Sequence, residues 1–511
     1  MKIRKQKVKN IVNIAFLLIC LLLYSILVFV KSNYSNVSCE ELFFHLKVPL
    51  TGSNTGFVQS YLTQSGSLLF YGIIVIILVI IYQRTLYNRK IVFKIFTQKK
   101  DNKKTREIVI KNDFKRLYLV SIAIFAVLIV LLAHQVKFFD YIKKSLRKTQ
   151  IYEHEYVDPA KVTLTFPEQK RNLIYIYLES MESTYADLPS SVSNKSNLIP
   201  KLEELAMNNT SFSDTDKLGG AYQTSNVGWT MGGIFAQSSG LPLKLPIDGN
   251  GLQFYDSFMP GATTLGDILN KEDYNQEFIM GSIKEFGGRE KFLTEHGSYE
   301  IYDITSAKKL KKLPDDYYVW WGYEDSKLFD FAKEEVEKLS QIDLPFNFQL
   351  ITTNTHFEEG YLEDNCPIIT NNKYANSVIC SDQQVYDFVA WIQQQPFYEN
   401  TTIVLAGDHL LMGEYLYKNK VPLSNRRVYN VFINSAVTTE NKNNRVFTTL
   451  DMFPTTLASL GVEIEGDRLG LGTNLFSDQQ TLPEKMGKEK FDLELASSSK
   501  FYDKNILYDK K

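Results

Sequence analysis

The run Thr402-Ile403-Val404-Leu405-Ala406 stops at Gly407 and presents Asp408 and His409 side by side. Apolar, partly β-branched residues closed by a glycine predict a strand buried on both faces. Two other apolar runs end in the same way. Leu173-Ile174-Tyr175-Ile176-Tyr177-Leu178 delivers Glu179, and Phe348-Gln349-Leu350-Ile351 continues through Thr352-Thr353-Asn354-Thr355 to His356. Open α/β sheets bind ligands outside the carboxyl ends of their strands. A single Asp-His pair could be a surface turn. Three such strand ends would bring two histidines and two carboxylates to one place, which points to a metal site.

Working outward, strands alternate with helical stretches over 171–461, as in βαβ units around a mostly parallel sheet. Residues 449–460, with Pro454 in the first turns, predict a helix that ends at Gly461. From Gly466 onward the polar, glycine-bearing sequence predicts loops with one or two short strands. With 511 residues the chain is long enough for more than one unit. A net charge of −1 gives no global field to attract nucleic acid.

The first 135 residues differ from the rest, being hydrophobic blocks separated by basic stretches. Blocks over 11–30, 66–83 and 117–134 approach the length that crosses a hydrocarbon core. No small-residue cleavage site follows Val30, which argues against a removed signal peptide. Lys2, Arg4, Lys5, Lys7 and Lys9 precede the first block, and the stretch between the second and third carries Arg84, Arg89, Lys99, Lys100 and Arg106 among other cations. Positive loops stay cytoplasmic, so three crossings would leave everything after about His134 outside the cytoplasm. Residues 136–168 mix charges with aromatics and are expected to link the 1–135 membrane part to a 169–511 catalytic part. They would form a helix at the membrane surface or one packed on the domain. Cys366 and Cys380 share one exterior loop, where an oxidising compartment permits a disulfide; free buried thiols are the alternative.

The second chemistry-bearing stretch is Gly219-Gly220-Ala221-Tyr222-Gln223-Thr224-Ser225-Asn226-Val227-Gly228-Trp229-Thr230-Met231-Gly232-Gly233-Ile234-Phe235. Glycines open it, a hydroxyl pair follows, and the remainder can turn helical as far as Gln237. A hydroxyl at a helix N-terminus meets free N–H groups and the positive end of the dipole, which favour a phosphate or an alkoxide. It could also do no more than cap the helix.

The order YLES (177–180), QTSNVGWTMGGIFAQSSGLPL (223–243), TTNTH (352–356), ANSVICSDQQVYDFVAWIQQQPFY (375–398) and IVLAGDHLLMGE (403–414) resembles membrane-anchored phosphoglycerol transferases of the alkaline phosphatase/sulfatase superfamily. The glucan-decorating members stand nearer than the lipoteichoic acid synthases. The resemblance spans most of 170–480 and is densest over 380–409. It implies a central sheet sandwiched by helices and a divalent cation, Mn²⁺ or Mg²⁺ with Zn²⁺ open, held by Glu179, Asp408, His409 and Thr224. Thr224 would be the nucleophile; Thr230, in the GWT core, is the other candidate and is placed second because it lies further from the glycine-rich entry. His356, Arg289 and Phe286 fall where relatives contact the substrate phosphate. The implied donor is phosphatidylglycerol and the acceptor a cell-envelope glycan hydroxyl, reached from a multi-pass anchor in the cytoplasmic membrane. Phosphoethanolamine transfer to lipid A or glycan is the alternative within the fold, and a non-catalytic envelope scaffold the alternative outside it. The chain lacks the Cys-x-Pro-x-Arg that sulfate-ester hydrolysis requires.

Overall fold

The structure, a computed structural model, describes residues 2–33, 39, 56–85, 90–99, 102–111, 114–244, 257–356 and 359–508. The chain divides into two compact units, 1–35 with 55–139, and 36–54 with 140–511.

In the first unit, helices α1 (Lys2–Asn33), α2 (Gly56–Thr85) and α3 (Phe114–Gln135) each contain a stretch long and apolar enough to cross a membrane: Ile11–Asn33, Gln59–Ile81 and Tyr118–Gln135. Phe70, Leu78 and Val127 are more than half exposed, as suits surfaces that meet lipid rather than water. The second helix begins at Gly56, ahead of the expected start at 66. Its added turns carry polar side chains that find partners on α1, so helix is tolerated there in an apolar setting. Tyr61 OH lies 2.5 Å from Ser25 Oγ, and Asn33 Nδ2 donates to Gln64 Oε1 at 2.7 Å. The stretch expected between the first two spans falls, over 34–38 and 40–55, outside the described residues. The basic stretch after α2 pairs as an antiparallel hairpin, Lys90–Lys99 with Asn102–Lys111, which sequence alone did not predict.

The second unit already begins at 140, so 136–168 is not a separate linker. Ile151 and Tyr152 are buried in its core, and the Tyr152 ring lies 5.0 Å from that of Tyr502. Leu164–Thr165 pairs antiparallel with Glu463–Ile464. Of the two placements open for this segment, Tyr152 and Tyr156 take the one packed on the domain, where they supply apolar bulk. The carboxyl end departs from the expected loops as well. Beside the short pair Arg468–Leu469 and Gly472–Thr473 it forms helices Leu482–Met486 and Lys488–Ala496.

The central sheet has six strands: β1 (Asn172–Leu178), β2 (Asn275–Met280), β3 (Glu300–Tyr302), β4 (Phe346–Ile351), β5 (Thr401–Gly407) and β6 (Asn430–Ile433). Their spatial order is β3-β2-β4-β1-β5-β6, parallel throughout except for β6, which runs antiparallel on β5. Helices cover both faces, so the inner strands are apolar on both sides. Along β1, Leu173, Tyr175 and Tyr177 enter one core while Ile174, Ile176 and Leu178 enter the other. The three strands singled out in the sequence are consecutive neighbours, with Tyr177 opposite Ile351 and Leu178 opposite Gly407. Their ends are therefore level. Among the helices packed around this sheet are α4 (Pro200–Asn208), α5 (Thr230–Ser239), α6 (Asp325–Ser340) and α7 (Lys373–Ile392).

Candidate active site

Glu179 leaves the end of β1 held from both neighbours. Its backbone N–H donates to Thr352 Oγ1 at 2.9 Å, and the Thr355 hydroxyl donates to its carbonyl at 2.6 Å. Ser180, at φ +51°, turns the chain so that its N–H reaches Asp408 Oδ1 at 2.8 Å, where the His409 N–H also donates at 2.8 Å. A non-glycine residue at positive φ is strained, and such strain collects at functional sites.

Carboxylate oxygens of Glu179 and Asp408 and a ring nitrogen of His409 lie within 4.8 Å of one another, all buried. His409 Nε2 is 3.4 Å from Glu179 Oε1 and 3.3 Å from Asp408 Oδ2. Its other nitrogen, Nδ1, lies 2.9 Å from the Leu410 carbonyl and so must carry the proton. That leaves Nε2 turned into the cluster, the orientation a metal-binding histidine needs. Asp408 Oδ2 is buried with no hydrogen-bond donor, and burial together with the Glu179 charge pushes the Asp408 carboxyl above the usual carboxylate range. Two buried carboxylates facing one imidazole lone pair lack a positive charge, and a divalent cation would supply it. The donor set fits one.

The structure places the two candidate hydroxyls on different elements. The helix starts at Thr230, with Trp229 as its N-cap, and not at Thr224. Asn226 takes a left-handed conformation (φ +64°) and its carbonyl accepts from Leu243 N–H at 3.1 Å, while Gln223 Oε1, just before Thr224, accepts from Leu410 N–H at 2.7 Å beside His409. The Thr230 hydroxyl donates to Glu179 Oε2 at 3.2 Å. Thr224 Oγ1 is buried in the preceding loop without a hydrogen-bond partner, and the adjacent Ser225 is bound through its N–H and hydroxyl to Asp492. Close approach of α5 depends on Gly233, where a Cβ would sit 2.1 Å from the Asp408 carbonyl oxygen. Gln237 completes the seam, donating to the Gly407 carbonyl at 2.9 Å while Tyr175 OH donates to its Oε1 at 2.7 Å.

His356, Phe286 and Arg289 gather around a residue the sequence did not single out. The Trp321 ring lies 4.6 Å from His356 and 5.2 Å from Phe286, and the Arg289 guanidinium sits 5.5 Å from the Phe286 ring centroid. Positive φ at Gly287 (+71°) and Gly288 (+79°) makes the tight turn that leads into Arg289. Arg289 is buried, with Nη2 donating to Ser282 Oγ at 2.8 Å and Nε to the Phe286 carbonyl at 3.0 Å. Burial lowers its pKa to about 10, against the opposing pull of Glu179, so it remains charged at neutral pH.

Two buried carboxylates act at one remove, and neither carried a sequence signal. Asp325 accepts the N–H groups of Thr353 (2.7 Å) and Asn354 (3.0 Å), fixing the loop that presents His356. Glu182 pairs with Arg426, whose Nε lies 3.1 and 3.0 Å from its two oxygens, and also accepts from Leu411 N–H (2.9 Å) and Tyr417 OH (2.7 Å). The segment after His409 is thereby tied to the turn after β1. Cys366 and Cys380 form a disulfide with Cα atoms 5.5 Å apart, joining the loop after His356 to α7.

The sheet, its level strand ends and the helix-borne hydroxyl define an α/β domain of the alkaline phosphatase/sulfatase class. The chain belongs to the Sulfatase family, whose model matches residues 171–462. It is also 32% identical over 269 residues to phosphoglycerol transferase I of Salmonella typhi and of Salmonella newport, over 52% of this chain. The matched region covers 33% of the length of those relatives. Among solved structures, the lipoteichoic acid synthase LtaP from Listeria monocytogenes superposes with a TM-score of 0.48 at 19% identity, covering 62% of this chain and 79% of that one. An alkaline phosphatase superfamily protein from Vibrio parahaemolyticus gives 0.46 at 22% identity, covering 60% and 71%.

Proposed function

We propose that this chain transfers phosphoglycerol from phosphatidylglycerol to a hydroxyl of a cell-envelope glycan, with Thr230 as the nucleophile. The observation that carries this is the Thr230 hydroxyl at the first position of α5, bonded to Glu179 within the Glu179, Asp408 and His409 cluster. Identity to named phosphoglycerol transferases supports the donor class, and the membrane-length helices support a lipid donor.

In the first step Thr230 Oγ attacks the donor phosphorus, the P–O bond to diacylglycerol breaks, and the hydroxyl proton ends on the departing diacylglycerol oxygen. In the second, an acceptor hydroxyl attacks the phosphorus, the bond to Thr230 Oγ breaks, and the acceptor proton returns to Thr230. A divalent cation held by Glu179, Asp408, His409 and Thr230 would lower the hydroxyl pKa and neutralise phosphoryl charge. Mn²⁺ and Mg²⁺ suit the oxygen-rich set, and Zn²⁺ is compatible with the histidine. The N-terminal dipole of α5 favours the same negative charge. Arg289 and His356 face the phosphoryl oxygens, while Trp321 and Phe286 wall the site. The charge pattern of the N-terminal loops supports an outer-side position for this domain, where a lipid donor and an envelope glycan would both be within reach.

The test is release of diacylglycerol by the full-length protein from phosphatidylglycerol and, separately, from phosphatidylethanolamine, with and without Mn²⁺ and a glycan acceptor. Metal-dependent release from phosphatidylglycerol with phosphoglycerol appearing on the glycan is expected. Release from the ethanolamine lipid alone would reject the glycerol assignment.

A further inference from the structure

Trp321 has a neighbour that the phosphoryl chemistry does not use. Trp320 adopts φ +56°, a conformation that costs any residue with a Cβ and suits glycine. Reciprocal hydrogen bonds hold it there: Val319 N–H donates to Gly322 O at 2.7 Å and Gly322 N–H to Val319 O at 2.8 Å. The turn throws the two indoles to different places. Trp321 is buried against His356 and Phe286, while Trp320 is only partly buried and lies over Tyr361. Those two rings are nearly parallel, 24° apart, but their centroids are separated by 6.3 Å. Face-to-face contact needs only about 3.5–4 Å, so the rings overlap at their edges and most of each face remains uncovered by the other. Lys373, exposed at the start of α7, places its ammonium 5.8 Å from the Trp320 centroid. Tyr361 is anchored to the loop that carries His356, its N–H donating to Asn354 O at 2.7 Å.

We infer that Trp320 and Tyr361, with Lys373, form the subsite that binds a sugar ring of the glycan acceptor beside the phosphoryl-transfer centre. The inference rests on the transferase reading and extends it to named acceptor-binding residues. Flat aromatic pairs suit the C–H faces of a pyranose, and the Lys373 ammonium near the Trp320 ring can donate to sugar hydroxyls. Through the Trp320–Trp321 peptide the strip adjoins Trp321, whose ring lies against His356. A bulky ring kept at a backbone position that favours glycine agrees with a ligand-facing role, because strain of this kind gathers at binding sites.

The backbone suggests the variant. Trp320→Gly removes the ring at a position whose φ glycine prefers, so folding should survive, and Trp320→Phe restores an aromatic face. With full-length protein in phosphatidylglycerol nanodiscs, two quantities are measured. One is the partition of released phosphoglycerol between water and maltohexaose or laminarihexaose. The other is binding of the same oligosaccharides by saturation-transfer NMR, which needs no turnover. In Trp320→Gly the transfer-to-hydrolysis ratio should fall about tenfold, the size of one lost aromatic stacking contact, with the NMR signal falling too and Trp320→Phe recovering most of both. An unchanged ratio and unchanged oligosaccharide binding would overturn the subsite, as would equal loss of transfer and hydrolysis, which would assign the strip to the lipid donor. Absence of any phosphatidylglycerol turnover in the unmodified protein would sink the transferase reading instead. The NMR comparison alone would then decide the subsite: signal lost in Trp320→Gly supports it, and equal signal or none rejects it.

Discussion

The Thr230 hydroxyl lies 3.2 Å from Glu179 Oε2, joining the first residue of a helix to the first residue beyond the central strand, 51 positions apart in sequence. Under the proposed mechanism this contact makes the two threonines that local sequence leaves in competition testable. Thr230→Ala should abolish the phosphoglyceryl adduct and lower turnover by about a thousandfold or more, as expected for loss of a nucleophile. Thr224→Val should retain the adduct. It removes a buried, unpartnered hydroxyl at nearly constant shape, so stability should change by less than about 1 kcal/mol. Peptide mass spectrometry of the trapped protein checks both, and an adduct on Thr224 would reverse the assignment.

His409→Ala and Asp408→Asn each remove a donor from the buried cluster and should weaken divalent-cation binding while leaving the sheet intact. In the unmodified protein, cation at about 100 times its Kd should raise stability by about 2.7 kcal/mol. That gain should vanish in His409→Ala. A thermal shift with Mn²⁺ that is identical in both proteins would show that the cation binds elsewhere.

Glu182 and Arg426 are fully buried partners. Removing one charge strands the other in a low-dielectric interior, a loss of about 3–5 kcal/mol. Glu182→Ala should therefore lower the denaturation midpoint strongly, and it should impair turnover by loosening the Leu411 to Tyr417 segment behind His409. Replacement at similarly buried but uncharged Tyr175 by Phe serves as the comparison. An equal, small effect of the two changes would discount the ion pair.

The Cys366–Cys380 bridge spans 14 positions. Closing a loop of about 15 residues is worth about 3 kcal/mol on the chain-entropy account. A Cys366→Ser, Cys380→Ser double variant should lose about that much and become insensitive to dithiothreitol. Titration of the intact, unreduced protein that finds both thiols free would contradict the bridge.

Glu277 sits within β2 with its carboxyl raised to about 8, by burial first and then by the charges of Glu335 and Glu300. The unfolded chain titrates near 4.3, so between these values the native state holds the extra proton. Stability attributable to this group is thus full below the unfolded pKa and declines as pH rises towards 8. Glu277→Gln should leave stability near its original value at pH 4 and raise it by on the order of 1–2 kcal/mol at pH 8. A gain at pH 4 as large as that at pH 8 would refute this.

Glu179, His356, Asp408 and His409 were legible because each stands where an apolar run ends, and buried parallel strands leave that signature in any chain. The three membrane-length helices were legible for the same reason, a long apolar stretch being a local property. Neighbouring positions also carried the disulfide, since both cysteines fall in one short segment. Which hydroxyl meets Glu179 was not local. It depends on Asn226 turning left-handed to meet Leu243, and on Gly233 allowing α5 to rest against the Asp408 carbonyl. The placement of residues 136–168 stayed open in the sequence because aromatics look alike whether they face lipid or fill a core, and Tyr502, against which Tyr152 packs, is 350 positions away.

Sequence by itself determined the three strands at the centre of the sheet, the spans and the chemical types available at the strand ends, because periodicity and chain termination of apolar runs are written residue by residue. Only the tertiary structure decided which of those types meet. The order β4-β1-β5 sets Glu179 between His356 and Asp408, and the packing of α5 brings the Thr230 hydroxyl to Glu179. Long-range pairs such as Glu182 with Arg426, 244 positions apart, have no local pattern to announce them. Their proximity follows from how buried faces and buried charges are satisfied together when the whole sheet is covered.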